Sequence, residues 1–256
     1  MVRSLWVAAL ATLAVFPVAC GSAAPADDQD GASGEVVVFA AASLTETFTE
    51  LGRRFEEANP GTTVTFNFAG SSSLAKQIVE GAPVDVFASA SPANMEQVTE
   101  TDAVSGEPTV FVRNRLEIAV PAGNPGDVTG IADFADEDRT IALCAEEVPC
   151  GAAARKALDA AGVTAAPDTL ERDVKAVLTK VELGEVDAAL VYRTDVRAAD
   201  DTVEGIAFPE SERAVNDYPI ATMAEAPNTE GARAFVDFVL SDAGRSVLTD
   251  AGFDGP

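Results

Sequence analysis

From residue 35 to about residue 100 the chain alternates three times between a short apolar run and an amphipathic helical pattern, and few folds accept that order. EVVVFA (35 to 40) is apolar at successive positions and rich in β-branched residues, as a strand buried on both faces is. Ser43 and Glu46 then have the S-x-x-E spacing of a capping box. Leu44, Phe48, Leu51 and Phe55 recur at helical spacing until the stop signal Asn59, Pro60, Gly61. Thr63 to Phe68 reads as a second strand, Leu74 to Glu80 as a second helix closed by Gly81, and Val84 to Ala88 as a third strand. Ser91 caps a third helix with Pro92 at its first position. This β-α-β-α-β-α order predicts an α/β protein with a mostly parallel sheet and helices on both faces. Further strands are expected at Leu116 to Val120, Thr140 to Cys144, Asp187 to Tyr192 and Tyr218 to Met223. Helices are expected over 151 to 161, 173 to 183, 229 to 240 and 242 to 251. With 256 residues there is enough chain for two lobes, each with its own core.

Hydroxyls gather where strands feed helices. Ser43 stands at the first junction, Ser71, Ser72 and Ser73 at the second, and Ser89 and Ser91 at the third. In open α/β sheets these junctions share one edge, where ligands bind. Helix N-termini there present free N–H groups and partial positive charge, the elements of an anion site. Any one of these serines is explained as an N-cap. The run GSSS (70 to 73) is not, because capping needs one serine, whereas this run adds a glycine for close approach and spare hydroxyls.

Charge and composition narrow the function. Asp and Glu number 42 against 17 Lys and Arg, a net charge of −25, which repels nucleic acid and anionic membrane surfaces. An anion would have to be held against that field by short-range hydrogen bonds. There is no histidine, which removes Ser-His-Asp triads and His-ligated zinc or haem. A serine hydrolase using Ser71 or Ser43 is the enzymatic alternative, but no G-x-S-x-G elbow is present. Ser73 and Lys76 have S-x-x-K spacing, which a surface lysine on an amphipathic helix explains as well. An enzyme is therefore not expected.

Residues 1 to 20 carry Arg3, an apolar run from Leu5 to Val18 and small residues before Cys20, the layout of a secretory signal. The run is too short for a spanning helix. The cysteine before Gly21 and Ser22 resembles a bacterial lipobox, in which it becomes the lipidated N-terminus; Pro17 departs from that pattern, and a plain cleaved signal is the alternative. Residues 21 to 34 are small, polar and acidic, and read as a disordered tether. The export signal places the remainder outside the cytoplasm, where Cys144 and Cys150 are candidates to pair, free buried thiols being the alternative.

FAAASL (39 to 44), FAGSSSLAKQI (68 to 78) and GAPVDVFASAS (81 to 91) resemble the N-terminal motifs of extracytoplasmic molybdate-binding proteins, the solute receptors of ABC transporters. The resemblance continues in order through VPCGAAARKAL (148 to 158), RDVKAVLTKVELGEVDAALVY (172 to 192), FPE (208 to 210) and YPIA (218 to 221). It implies a two-lobed periplasmic-binding-protein fold with lobe 1 over 35 to 117 plus 218 to 256, lobe 2 over 118 to 217, and a hinge near Ile118 and Pro219. It also implies an interlobe cleft for molybdate or tungstate, with no cofactor. By matching motifs, Ser43 and Ser71 supply hydroxyls, Ala90, Cys150 and Val174 supply backbone N–H groups, and Tyr192 supplies a phenol. Cys150 departs from the alanine expected there, and a Cys144–Cys150 disulfide would stiffen the loop that delivers its N–H. The expected partners are the oxyanion and the transmembrane subunits of an ABC importer. The membrane is met only through the N-terminal lipid anchor, and the receptor is a monomer. A receptor for another oxyanion such as sulfate is the alternative on the same fold.

Overall fold

The computed structural model describes residues 33–199 and 201–256. The expected signal segment, Cys20 and residues 21–32 of the expected tether lie outside the described residues. No helix among the described residues is long and apolar enough to cross a membrane.

The first part of the chain forms β1 (Gly34–Ala41), α1 (Thr45–Ala58), β2 (Thr62–Ala69), α2 (Ser71–Val79), β3 (Val86–Ala88), α3 (Pro92–Thr99) and β4 (Thr109–Asn114). The middle forms β5 (Leu116–Pro121), β6 (Ile141–Cys144), α4 (Pro149–Ala161), β7 (Thr169–Glu171), α5 (Val174–Glu182), β8 (Ala188–Tyr192), α6 (Arg193–Ala198) and β9 (Val203–Ile206). The end returns as β10 (Asn216–Thr222), α7 (Thr229–Leu240) and α8 (Asp242–Asp250). Two five-stranded sheets result, in the orders β2-β1-β3-β10-β4 and β7-β6-β8-β5-β9. In the first, β1 is parallel to β2 and β3, while β10 is antiparallel to β3 and β4. In the second, β6 is parallel to β7 and β8, while β5 is antiparallel to β8 and β9. Each sheet is therefore mostly parallel with one reversed strand, β10 or β5. This is the two-lobed α/β architecture expected from the sequence.

The chain leaves the first sheet at Asn114 and enters the second at Leu116, then returns between Ile206 and Asn216. Ile118 and Pro219, near which the hinge is expected, lie within β5 and β10. Ile118 pairs with Leu190 and Ile206, and Pro219 sits at a register irregularity of β10, where its missing N–H is tolerated. The apolar runs of β5 and β10 look continuous in sequence, but each sheet takes up its reversed strand whole. Ion pairs brace the crossing. Arg115 and Arg193 both hold Asp254, at 2.9 and 3.0 Å, which ties the C-terminal residues to the start of α6.

The two cores differ in filling. The first is aromatic, with Phe48, Phe55 and Phe66 arranged edge-on around Phe235 at centroid distances of 5.3 to 6.1 Å. The second is built largely from Val, Leu and Ala, with Phe134, Tyr192 and Phe208 as its buried rings.

Helix α4 begins at Pro149, two residues before the expected Gly151, because a proline at the first helical position gives up no bonded N–H. Cys144, the last residue of β6, is bonded to Cys150 in the first turn of α4. The connecting loop folds tightly on the helix. A Cβ on Gly151 would lie 1.9 Å from the Ala145 carbonyl oxygen. Gly151→Ala should therefore destabilise the protein by about 1–3 kcal/mol through backbone displacement, measured by urea unfolding; a loss under about 0.5 kcal/mol, the range of an ordinary surface change, would mean that the loop yields freely.

Candidate functional site

All six residues singled out by motif, Ser43, Ser71, Ala90, Cys150, Val174 and Tyr192, line one small cavity. Ser43, Ser71 and Ala90 follow β1, β2 and β3; Cys150, Val174 and Tyr192 follow or end β6, β7 and β8. The cavity thus lies at the carboxyl ends of the parallel strands of both sheets, where ligands of open α/β sheets bind. The two lobes touch at Gly70: a Cβ there would lie 2.6 Å from the Arg172 carbonyl oxygen.

Three helices start at this cavity. α2 starts at Ser71, earlier than the expected Leu74, so the three serines form its first turn. Ser71 and Val174 are the first residues of α2 and α5, and Cys150 is the second of α4. N–H groups at such positions have no acceptor within their own helix. The cavity lining contains no lysine or arginine. Its one carboxylate, Asp173, accepts from the Ala176 N–H at 2.9 Å and so caps α5.

Only two of the clustered serines reach the cavity. Ser71 Oγ accepts from the Ala90 N–H at 3.0 Å, so this N–H acts on the cavity through Ser71. Ser89 Oγ donates to the Ser91 carbonyl at 2.8 Å, and Ser91 Oγ caps α3 by accepting from Ala93. The capping box expected at Ser43 and Glu46 does not form. Residues Ala42–Leu44 make a 3-10 turn, and α1 starts at Thr45 without a side-chain cap. Ser43 is buried and has a closer partner, sharing a hydrogen bond of 2.9 Å with the Tyr218 hydroxyl. Glu46 turns to the other lobe and pairs with Lys175 at 2.9 Å.

Further polar residues, most of them not singled out as site residues, adjoin the cavity. Asn216 donates to the Ala90 carbonyl at 2.8 Å and to the Tyr192 hydroxyl at 3.0 Å. Asn114 donates to Thr194 at 2.9 Å. Tyr192 and Tyr218, the only tyrosines in the chain, meet edge-on at 6.0 Å. Burial pushes both phenols above their ordinary pKa, so both remain O–H donors at neutral pH. Two buried tyrosines within strands were the available sequence signal for Tyr218; Asn216 gave none. Neither Ser43 nor Ser71 is hydrogen-bonded to a base. Lys76 is exposed and pairs with Glu80 at 3.8 Å, and Ser43 and Ser71 hold only neutral partners.

Residues 36–254 match the family model of bacterial extracellular solute-binding proteins. The chain belongs to that family. Solute-binding proteins of this kind are receptors, not enzymes. Molybdate-binding protein ModA of Mycobacterium tuberculosis H37Rv is 42% identical over 242 residues, 93% of each chain. The periplasmic molybdate-binding protein of Azotobacter vinelandii shares the fold with a TM-score of 0.76 at 19% identity, over 86% of this chain and 99% of that one. The sulfate-binding protein SubI of M. tuberculosis shares it with a TM-score of 0.75 at 14% identity, over 86% of each.

In this solute-binding protein a buried carboxylate, Asp195, is bonded to the backbone of the cavity residue Tyr192. It is fully buried, accepts from the Tyr192 N–H at 3.1 Å, and lies 3.0 Å from Lys175 Nζ as an ion pair without hydrogen-bond geometry. Burial pushes its carboxyl up to about 6, against the pull of Lys175 and the Tyr192 N–H. Lys175 is raised despite its own burial, by Asp195 and Glu46. Because the folded value of Asp195 lies above the ordinary 3.8, the native state binds a proton here that the unfolded chain does not between those two values. Its contribution is most favourable below about pH 4 and is lost as the pH rises through about 6. In paired urea unfolding, the stability of wild type relative to Asp195→Asn should therefore increase on going from about pH 7 to about pH 4.5, by roughly 1 kcal/mol or more. A gap that narrows on acidification would reverse the assignment.

Proposed function

We propose that this protein captures a fully deprotonated tetrahedral oxyanion, molybdate and with it tungstate, between its lobes and presents it to an ABC importer. The observation that carries the reading is the donor set: neutral donors from both lobes line one small cavity without a cationic side chain, and its one carboxylate, Asp173, is engaged as the cap of α5. The 42% identity to a ModA over 93% of both chains supports molybdate as the ligand. In this reading the hydroxyls of Ser43, Ser71 and Tyr192 and the N–H groups of Cys150 and Val174 hold the oxyanion. The Ala90 N–H contributes by occupying the Ser71 oxygen. Cys150 acts through its backbone, since its sulfur is engaged in the disulfide.

The chemistry suits such an ion. Molybdate at neutral pH carries no proton and only accepts hydrogen bonds. Hydrogen phosphate brings a proton that needs an acceptor, so a cavity of donors disfavours it. The N-termini of α2, α4 and α5 add their dipoles. Closure removes water, so these short contacts outweigh the distant surface carboxylates. The donors are divided between lobes, so the ion binds the closed state better than the open one, and that difference drives closure. The ion is a ligand rather than a cofactor. Lipidation at Cys20, with residues 21 to 34 as tether, would hold the monomeric receptor outside the membrane near the transporter's transmembrane subunits. A sulfate receptor is the second reading, since SubI has the same fold and sulfate presents the same accepting oxygens.

Calorimetric titration should give tight one-to-one binding of molybdate and tungstate, weak binding of sulfate and no heat with phosphate. Sulfate binding best would keep the cavity and replace the ligand. Ser71→Ala and Tyr192→Phe should each weaken molybdate about ten- to a hundredfold, the worth of one hydrogen bond to a charged group, with little change in Tm. Wild-type affinity in both would remove them from the site. Gly70→Ala should likewise weaken molybdate while leaving each lobe folded, because its methyl meets Arg172 only when the lobes are together; unchanged affinity would show that closure does not need this contact.

A further inference from the structure

A hydroxyl can accept a hydrogen bond as readily as donate one, so serine and tyrosine alone do not make a cavity of donors. What decides is which side of each oxygen is already occupied. Ser71 Oγ accepts from the Ala90 N–H at 3.0 Å, which leaves its hydrogen for the cavity. The Tyr192 oxygen accepts from Asn216 Nδ2 at 3.0 Å, which leaves the phenolic hydrogen in the same position.

Asn216 is suited to that role by its place and its chemistry. It opens β10, paired in register with Asn114 at the end of β4, where the chain returns to the first lobe. Its amide also lies 2.8 Å from the Ala90 carbonyl, which can only accept. That contact fixes the amide with its NH2 group toward Ala90 and Tyr192, and both of its hydrogens are then in use; the Tyr192 hydrogen is left to donate, with the Tyr218 hydroxyl as the acceptor that competes with the cavity. Hydrogen bonds thus run from Asn216 in two directions. One ends on Tyr192 in the second lobe; the other passes through Ala90 to Ser71 in the first. Asn216 is not among the residues lining the cavity.

We propose that Asn216 is a positioning residue that sets selectivity: it occupies the acceptor side of the Tyr192 hydroxyl, making that group a donor toward the cavity and disfavouring anions that carry a proton. This rests on the oxyanion-receptor reading. Without Asn216 the Tyr192 oxygen is free to accept, and a protonated anion such as hydrogen phosphate gains a partner.

The test is a double-mutant cycle on the purified protein with Asn216→Ala, Tyr192→Phe and the double variant. It is titrated with molybdate, and with phosphate in competition at neutral pH. Circular dichroism and Tm establish folding, and Asn216→Ser, which keeps one shorter donor, replaces the alanine variant if that fails to fold. Asn216→Ala should weaken molybdate about tenfold in the wild-type background, as the loss of one such bond does. It should have an effect within about twofold once the Tyr192 hydroxyl is gone, since coupled residues do not add. The ratio of molybdate to phosphate affinity should fall in Asn216→Ala. Equal effects in both backgrounds, or an unchanged ratio, would overturn the inference while leaving the receptor reading in place. A wild-type protein that binds none of molybdate, tungstate or sulfate would overturn both.

Discussion

Three helix N-termini have to meet at one point, and the rest of the structure follows from that requirement. α2, α4 and α5 start at one small cavity, and they follow strands of two different sheets. A helix N-terminus follows the carboxyl end of a strand, so the two sheets have to present their carboxyl edges to each other. That arrangement needs the chain to change sheets and come back. The reversed strands β5 and β10 do this, one in each sheet, with the crossings at Arg115 and between Ile206 and Asn216. It also needs backbones to approach closely where the lobes meet, and Gly70 beside the Arg172 carbonyl provides that approach.

Holding the lobes in this relation falls to groups outside the cavity. Lys175 reaches Glu46 in the first lobe and Asp195 in the second, so one half-buried ammonium bridges the cleft one residue after Val174. On the hinge side, Arg115 and Arg193 grip Asp254 and bind the C-terminal residues to α6. Exposed pairs such as Arg53 with Glu57 add little, because solvent screens them. The Lys175 group is different, since Asp195 is fully buried and carries the Tyr192 N–H.

What could be read from the sequence was local. The alternation of apolar runs and helical patterns located most strands and helices, because each is specified by neighbours a few residues away. The six candidate site residues were found by motif, and they share one cavity because each follows or ends a strand at the same kind of junction. Local logic failed where a distant partner competed. Ser43 and Glu46 have the spacing of a capping box, yet Tyr218, 175 residues away, takes the serine and Lys175 takes the glutamate. Ser89 and Ser91 looked like cavity hydroxyls and are engaged in a turn and a cap. Asn216, Lys175 and Asp195 carry no local signal at all. An asparagine at a strand start and a lysine on an amphipathic helix are ordinary until the fold brings their partners within 3 Å.

The hydroxyls and N–H groups that line the cavity do not titrate near neutrality. Backbone N–H groups carry no pKa in this range, the two phenols are pushed upward by burial, and the chain has no histidine. An exported protein meets an environment whose acidity is not controlled as a cytoplasm's is, and such a donor set stays the same across it. Sensitivity to acid is displaced one layer back, to the Asp195 carboxyl at about 6. Its charge state acts on the Tyr192 backbone and on the Lys175 bridge to Glu46, not on the donors directly. In the proposed reading, the groups that hold the solute and the carboxyl that titrates near pH 6 are thus different residues, joined at Tyr192.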